Sequence, residues 1–93
     1  MSYIIKYSNQ FKKGLKRCQK RGLDMNLFAT VAKTLAEKGS LPATYNPHKL
    51  SGKYANCWEC HIKPDWILIW QQFDYELILL FLDTGTHADI FKK

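Results

Sequence analysis

The stretch CWECHIKPDWILIWQQFDYELILLFL, residues 57–82, decides the fold. Polar and apolar residues alternate in its first part, a period of two that is typical of β-strands. The pattern predicts three strands, over residues 57–62, 66–72 and 77–82. Pro64 and Asp65 mark the first turn, and Asp74 marks the second. The last two strands are apolar on both faces, as expected for central strands. The stretch therefore predicts a meander of three antiparallel strands.

The chain before this stretch is predicted to add one strand and two helices. Residues 3–7, YIIKY, are rich in aromatic and β-branched residues, which favour a strand. Ser8 can cap a first helix, which stops at Gly22. Asp24 can cap a second helix, which closes at residues 38–39. Because the link between the helices is short, we expect them to form an antiparallel pair.

The remaining segments complete the predicted architecture. Residues 40–55 contain two prolines and are predicted to form an ordered surface loop. Near the other end, Thr86 followed by Asp89 resembles a capping box, which predicts one short C-terminal helical turn. The predicted order is β-α-α-β-β-β. We therefore expect one domain over residues 1–93, of the α+β class, with an antiparallel sheet and the N-terminal helical hairpin packed on one face.

Composition and charge indicate a globular domain with a one-sided electrostatic field. The chain is 46% hydrophobic and 14% aromatic, enough to bury a core without disulfides. Its net charge of +6 is unevenly distributed: residues 1–53 carry +9, and residues 54–93 carry −3. Such a field attracts polyanions, including nucleic acids. A merely solvated, lysine-rich helix face is the alternative interpretation.

The sequence predicts a cytoplasmic protein with no membrane association. The first residues, MSYIIK, lack the basic region and long apolar run of a secretory signal. The longest apolar run, residues 77–82, is far shorter than the roughly 18 residues of a membrane span. The three cysteines are an odd number, and without export we expect them to be reduced thiols.

Residues 57–61, CWECH, match the attachment signature of c-type haem. On the predicted strand, however, Cys57 and Cys60 project to opposite faces. This geometry argues against haem attachment and against a zinc site, which needs four converging ligands. Cys60 is expected to be a core residue, and we predict neither a metal site nor a cofactor.

Three histidines and two acids lie outside the helices: His48, Glu59, His61, Asp65 and His87. Glu59 and His61 share the less apolar face of their predicted strand. Asp65 follows the turn and is expected to approach His61. Because histidine exchanges protons near neutral pH, this set predicts an acid–base catalytic cluster.

Metal-free RNA cleavage is the chemistry that fits such a cluster beside a basic surface. A base removes the proton of a ribose 2′-hydroxyl, which attacks the adjacent phosphate. An acid protonates the departing 5′-oxygen, and cations stabilise the additional charge. DNA lacks the 2′-hydroxyl and would not be cut. Trp66 and Phe91 are candidates for stacking on RNA bases. The remaining aromatic residues, Tyr45, Tyr54, Trp58 and Trp70, are assigned mostly to the core.

Two segments carry a resemblance to a known family. LPATYNPHKLSGKYANCWECHIKPDWILIW at residues 41–70 and TGTHADIF at residues 84–91 resemble the YafQ branch of the RelE/ParE toxin superfamily. The resemblance covers nearly the whole chain. It implies a RelE-like fold and an mRNA interferase of a type II toxin–antitoxin pair. Such toxins cut mRNA in the ribosomal A site and are neutralised by a small antitoxin.

The resemblance also implies roles for individual residues. It makes His87 the general acid and His48 or His61 the base. Asp65 would orient a histidine or relay a proton. Glu59 occupies a position where the family has an acid, Asp or Glu. Trp66 and Phe91 would position the base or the nucleotide.

Two positions depart from the family pattern, because Trp58 and Asp83 stand where the family usually has arginine. Either arginine would stabilise the developing phosphate charge. Lysines could substitute as point charges; the candidates are Lys49, Lys53 and Lys63. We therefore expect weaker cleavage, a different sequence preference, or binding without cleavage. A non-catalytic binding module or a gyrase inhibitor of the ParE kind is the alternative function.

Overall fold

The computed structural model describes residues 2–91. The strands are β1 (Ile4–Tyr7), β2 (His48–Lys49), β3 (Trp58–Lys63), β4 (Trp66–Phe73) and β5 (Ile78–Gly85). The helices are α1 (Asn9–Lys20), α2 (Met25–Lys38) and α3 (His87–Phe91). Two short 3₁₀ turns, Ala43–Tyr45 and Gly52–Tyr54, lie on either side of β2. The ends of the predicted domain, residue 1 and residues 92–93, lie outside the described residues.

The five strands form one sheet in the order β1-β5-β4-β3-β2. The meander of β3, β4 and β5 is antiparallel, as the period-two pattern predicts. Two features differ from the prediction. β1 runs parallel to β5, so the sheet is mixed, because two helices rather than a hairpin carry the chain away from β1. In addition, residues 48–49, predicted as loop, form the short edge strand β2.

The predicted helix ends are confirmed by their hydrogen bonds. The Ser8 hydroxyl accepts the backbone N–H of Phe11 at 3.0 Å, and the Asp24 carboxylate accepts that of Asn26 at 2.9 Å. Gly39 ends α2 with φ of 68°, a left-handed conformation that glycine adopts without strain. The residues at these boundaries therefore satisfy the free backbone groups of the helix ends locally.

The predicted C-terminal capping box is also present. The backbone N–H of Thr86 donates to the Asp89 carboxylate at 2.9 Å, and the backbone N–H of Asp89 donates to the Thr86 hydroxyl at 3.0 Å. These reciprocal bonds start the five-residue helix α3 directly after β5.

The main core lies between one face of the sheet and the helices α1 and α2. Its buried members include Phe11 and Cys18 of α1, Leu35 of α2, and Trp70 and Phe81 of the sheet. Gly14 lets α1 approach β5 closely, since a Cβ there would lie 2.5 Å from the carbonyl oxygen of Thr84. The helical pair therefore covers one face of the sheet, as predicted, and leaves the other face for different residues.

Strand register decides which side chains reach that other face. Residues paired across antiparallel strands share a face. His48 pairs with Glu59, which pairs with Ile69, and His61 pairs with Ile67. Ile67 and Ile69 are fully buried. The polar side chains therefore lie beside apolar residues on this face of the sheet.

Two further findings concern the whole described chain. Among residues 2–91, no helix is both long and apolar enough to span a membrane. All three cysteines lie within this range, and each is a free, buried thiol.

Replacing Gly14 by alanine is predicted to destabilise the fold. The new Cβ would lie 2.5 Å from a backbone oxygen of β5, which has little freedom to move. Overpacking of this kind costs about 1–3 kcal/mol, whereas the same change in an unhindered helix gains about 0.5–1 kcal/mol. Urea denaturation measures the free energy of unfolding. The exposed neighbour Lys13→Ala is the control, with an expected change within about 0.5 kcal/mol. A Gly14→Ala protein as stable as the wild type would contradict the close approach.

Candidate active site

The fold brings all five predicted acid–base residues to the sheet face opposite the helical pair. They form what we call the histidine cluster: His48, Glu59, His61, Asp65 and His87. His61 lies in the middle, with its ring centroid 6.3 Å from that of His48 and 5.4 Å from that of His87. Residues that are 39 positions apart in the chain thus form one continuous polar surface.

Glu59 is the buried centre of the cluster. Its side chain is 6% exposed, and its Oε1 lies 3.1 Å from His48 Nε2 and 3.5 Å from His61 Nε2. The other ring nitrogens face backbone carbonyls: His48 Nδ1 lies 2.8 Å from the oxygen of Asn46, and His61 Nδ1 lies 3.2 Å from that of Pro64. Each ring is therefore held from both sides.

These contacts determine where protons can be. A carbonyl oxygen only accepts, so the Nδ1 atoms of His48 and His61 must carry hydrogen to bond their carbonyls. A hydrogen bond between Nε2 and Glu59 then needs one more proton, on the ring or on the carboxyl group. One carboxylate oxygen thus lies between two imidazole nitrogens, an arrangement that suits general acid–base chemistry.

His87 is held differently, by Asp65. The Asp65 carboxylate accepts from His87 Nδ1 at 2.8 Å and from the His87 backbone N–H at 3.1 Å. The hydrogen bonds from His87 hold the pKa of Asp65 below its usual value. The hydrogen bonds of Asp65 come from His87, which α3 places beside it, and its expected approach to His61 stays a prediction. Since Nδ1 is bound to Asp65, His87 has Nε2 left for a substrate.

Aromatic residues border the cluster on the side of α3. The ring of Phe91 lies 6.3 Å from that of His87, and Tyr54 meets Phe91 edge to face at 5.6 Å. Tyr54 was assigned to the core but belongs to this border, and partial burial raises its pKa. The position of Tyr54 in the predicted surface loop, two residues after Gly52, is the sequence feature that indicates a place outside the core.

The expected RNA contact at Trp66 is corrected by the structure. The side chain is 2% exposed and belongs to the core between sheet and helices. Its indole N–H donates to the Thr84 hydroxyl at 3.0 Å, which links β4 to β5. A buried ring cannot stack on a base, so Trp66 is a structural residue. Its neighbour Asp65 lies in the turn before β4, where its carboxylate accepts hydrogen bonds from His87.

The two positions without the family arginine differ in their surroundings. Trp58 precedes Glu59, so it points to the opposite face, where it stacks on Trp70 with ring centroids 6.1 Å apart. Asp83 is buried and accepts a hydrogen bond from the Gln10 side chain at 2.7 Å. Burial raises the pKa of Asp83 above its usual value. Residue 58 is thus a packing position, and residue 83 is a buried acid.

The three candidate lysines are exposed, but they face different neighbours. The Lys49 ammonium lies over the Trp58 ring at 5.7 Å, away from the histidine cluster. The Lys53 ammonium lies over the Tyr54 ring at 5.8 Å, on the aromatic border of the cluster. Lys63 lines a surface depression of about 380 Å³ together with His61. Lys53 and Lys63 therefore remain candidates, whereas Lys49 is turned away.

The histidine cluster also has the spacing of a metal site. One ligand atom from each of Glu59, His61 and His87 lies within 4.8 Å of the others. Two imidazoles and one carboxylate suit Zn²⁺ or Cu²⁺. The sequence prediction of no metal site considered the thiols of Cys57 and Cys60 and did not foresee this set. Burial raises the pKa of the Cys60 thiol to about 12, which makes it a poor ligand.

The structure thus combines a mixed sheet, a helical pair on one face and the histidine cluster on the other. A family model described as bacterial toxin of type II toxin-antitoxin system, YafQ, matches residues 3–92. The mRNA interferase toxin YafQ of Escherichia coli strain K12 is 41% identical over 88 residues, which are 94% of this chain and 94% of that protein.

Two solved structures support the same relationship. The E. coli DinJ-YafQ toxin-antitoxin complex contains a chain with a TM-score of 0.87 and 39% identity, covering 98% of this chain and 99% of that one. A metal-bound toxin from Helicobacter pylori has a TM-score of 0.86 and 35% identity, covering 98% of this chain and 100% of that one. This chain therefore belongs to the YafQ family of bacterial toxins of type II toxin–antitoxin systems, which confirms the resemblance seen in its motifs.

Zn²⁺ is predicted to bind to the histidine cluster and not to the cysteines. Isothermal titration calorimetry should show one site that is lost in His61→Ala and kept in Cys57→Ser. The reason is that Glu59, His61 and His87 converge, whereas Cys57 is a buried thiol with a raised pKa. Loss of binding in Cys57→Ser with retention in His61→Ala would contradict the cluster as the site.

Proposed function

We propose that this protein is the toxin of a type II toxin–antitoxin pair and acts as a ribosome-dependent endoribonuclease that cleaves mRNA. The observation that carries the proposal is the pairing of His87 with Asp65 beside His61 and Glu59. The His61 and His87 rings lie 5.4 Å apart by their centroids, which supports proton transfer by two groups at one phosphodiester. The E. coli relative, named an mRNA interferase, supports the same reaction.

His87 is assigned as the general acid. Asp65 accepts the Nδ1 hydrogen and stabilises the positive charge of the imidazolium form. The Nε2–H can then donate its proton to the departing 5′-oxygen as the bond between that oxygen and phosphorus breaks. Phe91, next to the ring, is placed to contact the adjoining nucleotide.

His61 is assigned as the general base, coupled through Glu59 to His48. Its Nε2 would take the proton of the 2′-hydroxyl while that oxygen attacks phosphorus and a 2′,3′-cyclic phosphate forms. The ring is close to His87, so one base and one acid can act on opposite sides of the same phosphate. Glu59, which contacts both His61 and His48, would accept the proton from His61 after each turnover and return that ring to its basic form.

Stabilisation of the phosphate charge is the weaker part of this site. Neither Trp58 nor Asp83 can supply the guanidinium that the family usually places there. Lys53, on the aromatic border, is the cation we assign to this role. One preorganised donor is commonly worth about 2.7–4 kcal/mol of barrier, so we expect slower cleavage than in relatives that keep both arginines.

The biological setting follows from this activity. The E. coli relative assembles with the antitoxin DinJ, and we propose that a small antitoxin likewise neutralises this chain. Because mRNA and ribosomes are the targets, we place the protein in the cytoplasm. We further propose that residues 1–93 act as one domain.

A metal ion would oppose the proposed reaction. The H. pylori relative is described as metal-bound, and Glu59, His61 and His87 have suitable spacing here. An ion held by these atoms would occupy the lone pairs that accept and deliver protons. In this proposal the reaction is metal-independent, and a bound ion inhibits it.

The second candidate function is binding without cleavage, as an RNA- or antitoxin-binding module or a gyrase inhibitor. The two replaced arginines favour it. Growth arrest on induction without cleavage of mRNA would support this alternative over the proposed activity.

Alanine substitution of the histidines is predicted to abolish most mRNA cleavage. His87→Ala and His61→Ala should each reduce the rate about 10²–10⁴-fold, the usual contribution of one general acid or base. A reconstituted ribosome with a defined mRNA, read by primer extension, measures the rate. The control is Tyr75→Ala, a fully exposed residue in the turn between β4 and β5. Unchanged activity in His48→Ala, His61→Ala and His87→Ala, or cleavage at a 2′-deoxynucleotide, would refute the mechanism.

A pair of lysines separates catalysis from general attraction to RNA. Lys53→Ala is predicted to lower kcat about 10-fold or more, because Lys53 lies on the border of the histidine cluster. Lys49→Ala removes the same charge from the same loop but from the opposite face, and it should leave kcat unchanged. Equal effects of the two substitutions would show that the lysines contribute only to the overall field.

A further inference from the structure

Helix α3 is too short to hold its own position. It comprises residues His87–Phe91, and isolated helices below about 12–15 residues are marginal in water. It begins with His87, whose side-chain anchor Asp65 is itself 67% exposed. Exposed pairs of this kind contribute little to order. Another contact must therefore fix the helix that carries the proposed acid.

Asp89 provides that contact. Its carboxylate accepts two hydrogen bonds from the guanidinium of Arg21, at 2.6 Å and 3.1 Å, and one from the Thr86 backbone N–H at 2.9 Å. Arg17 Nε, which is buried, lies 3.6 Å away. The hydrogen bonds from Arg21 hold the pKa of Asp89 well below its usual range. The Asp89 side chain is only 14% exposed, although both arginines come from a surface helix.

The end of β5 is shaped to admit these groups. Gly85 has a φ of 154°, and a Cβ there would lie 2.9 Å from the Asp89 carboxylate and 3.2 Å from Arg17 Nη2. Gly85 is paired with Ile67, and Ile67 is paired with His61 on its other side. The three residues thus lie next to one another across the strands β5, β4 and β3. The carboxylate and the guanidinium therefore occupy space on the sheet that any larger residue would fill.

We propose that Arg21 and Asp89, with Arg17 beside them, form a positioning clamp that holds His87 in the geometry required of the acid. The clamp connects α1, the end of β5 and α3, two residues after His87. Arg17 and Arg21 would then act on the proposed acid through Asp89, and their role would not be the attraction of RNA. This inference rests on the proposed function.

The alternative is that the arginines only bind nucleic acid. Arg17 and Arg21 line a basic surface depression of α1 together with Lys13, Lys16 and Lys20. If attraction were their whole role, removing Lys20 would have the same effect as removing Arg21. Within the described part of the chain, Lys20 is not among the side chains that contact Asp89, so it is a matched control.

The test compares Arg21→Ala, Asp89→Asn and Lys20→Ala in the ribosomal cleavage assay. Asp89→Asn keeps an oxygen for the Thr86 cap but loses the charge that pairs with Arg21. We expect kcat to fall about 10–100-fold in Arg21→Ala and in Asp89→Asn, with KM nearly unchanged. The double variant should be no slower than the slower single variant, since both changes break one interaction. Lys20→Ala should raise KM alone. Arg21→Ala that resembles Lys20→Ala in both constants would overturn the clamp.

A second readout does not depend on RNA cleavage. Hydrogen exchange followed by NMR should show faster exchange of the α3 amides and a shifted His87 ring resonance in Asp89→Asn, with α2 unaffected. Unchanged α3 exchange and an unchanged His87 resonance would overturn the clamp even if cleavage fell. A different outcome would separate the two proposals: the wild-type protein does not cleave mRNA, but its α3 amides exchange faster after the Asp89→Asn change. This outcome would refute the proposed function and retain the clamp.

Discussion

The register of β3 against its neighbours is the constraint on which the rest of the structure depends. Because side chains alternate along a strand, a shift of one residue would exchange the two faces of the sheet. Glu59 and His61 would then enter the core, and Trp58, Cys60 and Ile62 would enter the active site. The core prevents this exchange, since Cys60 and Ile62 are buried with Trp70 and Phe81 beneath the helices. Burial on one face thus fixes the position of Glu59 and His61 on the other.

Each histidine reaches the cluster by a different structural route. His61 is placed by β3 itself, and His48 by the two-residue strand that pairs with Glu59. His87 depends on a helix of five residues that follows β5. The route through α3 is the least supported by backbone pairing, which is why side-chain contacts to Asp65 and Asp89 matter most there. Strand pairing therefore positions the centre of the cluster at Glu59, whereas the His87 side relies on charged contacts.

Much of this architecture could be read from local sequence, because local hydrogen bonds determine it. The caps at Ser8 and Asp24 and the box of Thr86 with Asp89 involve neighbours two or three residues apart. The alternation that puts Glu59 and His61 on one face is local as well. These features need no knowledge of the fold, and the structure has them as the residues predict.

Long-range choices could not be read in the same way. The parallel pairing of β1 with β5 depends on where two helices deliver the chain. The partner of Asp65 depends on the placement of α3, which lets His87 donate a hydrogen bond to the Asp65 carboxylate. Trp66 looked available for stacking because it adjoins Asp65, yet alternation turns its ring into the core. In each case the outcome depends on residues that are close in space and distant in sequence.

The two replaced arginines illustrate why position in the fold must be known before a substitution is interpreted. By motif alone, Trp58 and Asp83 look like equal losses of catalytic charge. In the structure, Trp58 packs on Trp70 away from the histidine cluster, so its change alters packing beneath the helices.

Asp83 adds a buried carboxyl group held by Gln10 of α1. A carboxylate buried near a phosphate site would repel the substrate unless it were protonated or paired. Burial raises the pKa of Asp83, which favours the neutral form, and the bond from Gln10 spreads its charge when ionised. Gln10 of α1 and the raised pKa of Asp83 thus both lessen the negative charge that this substitution adds.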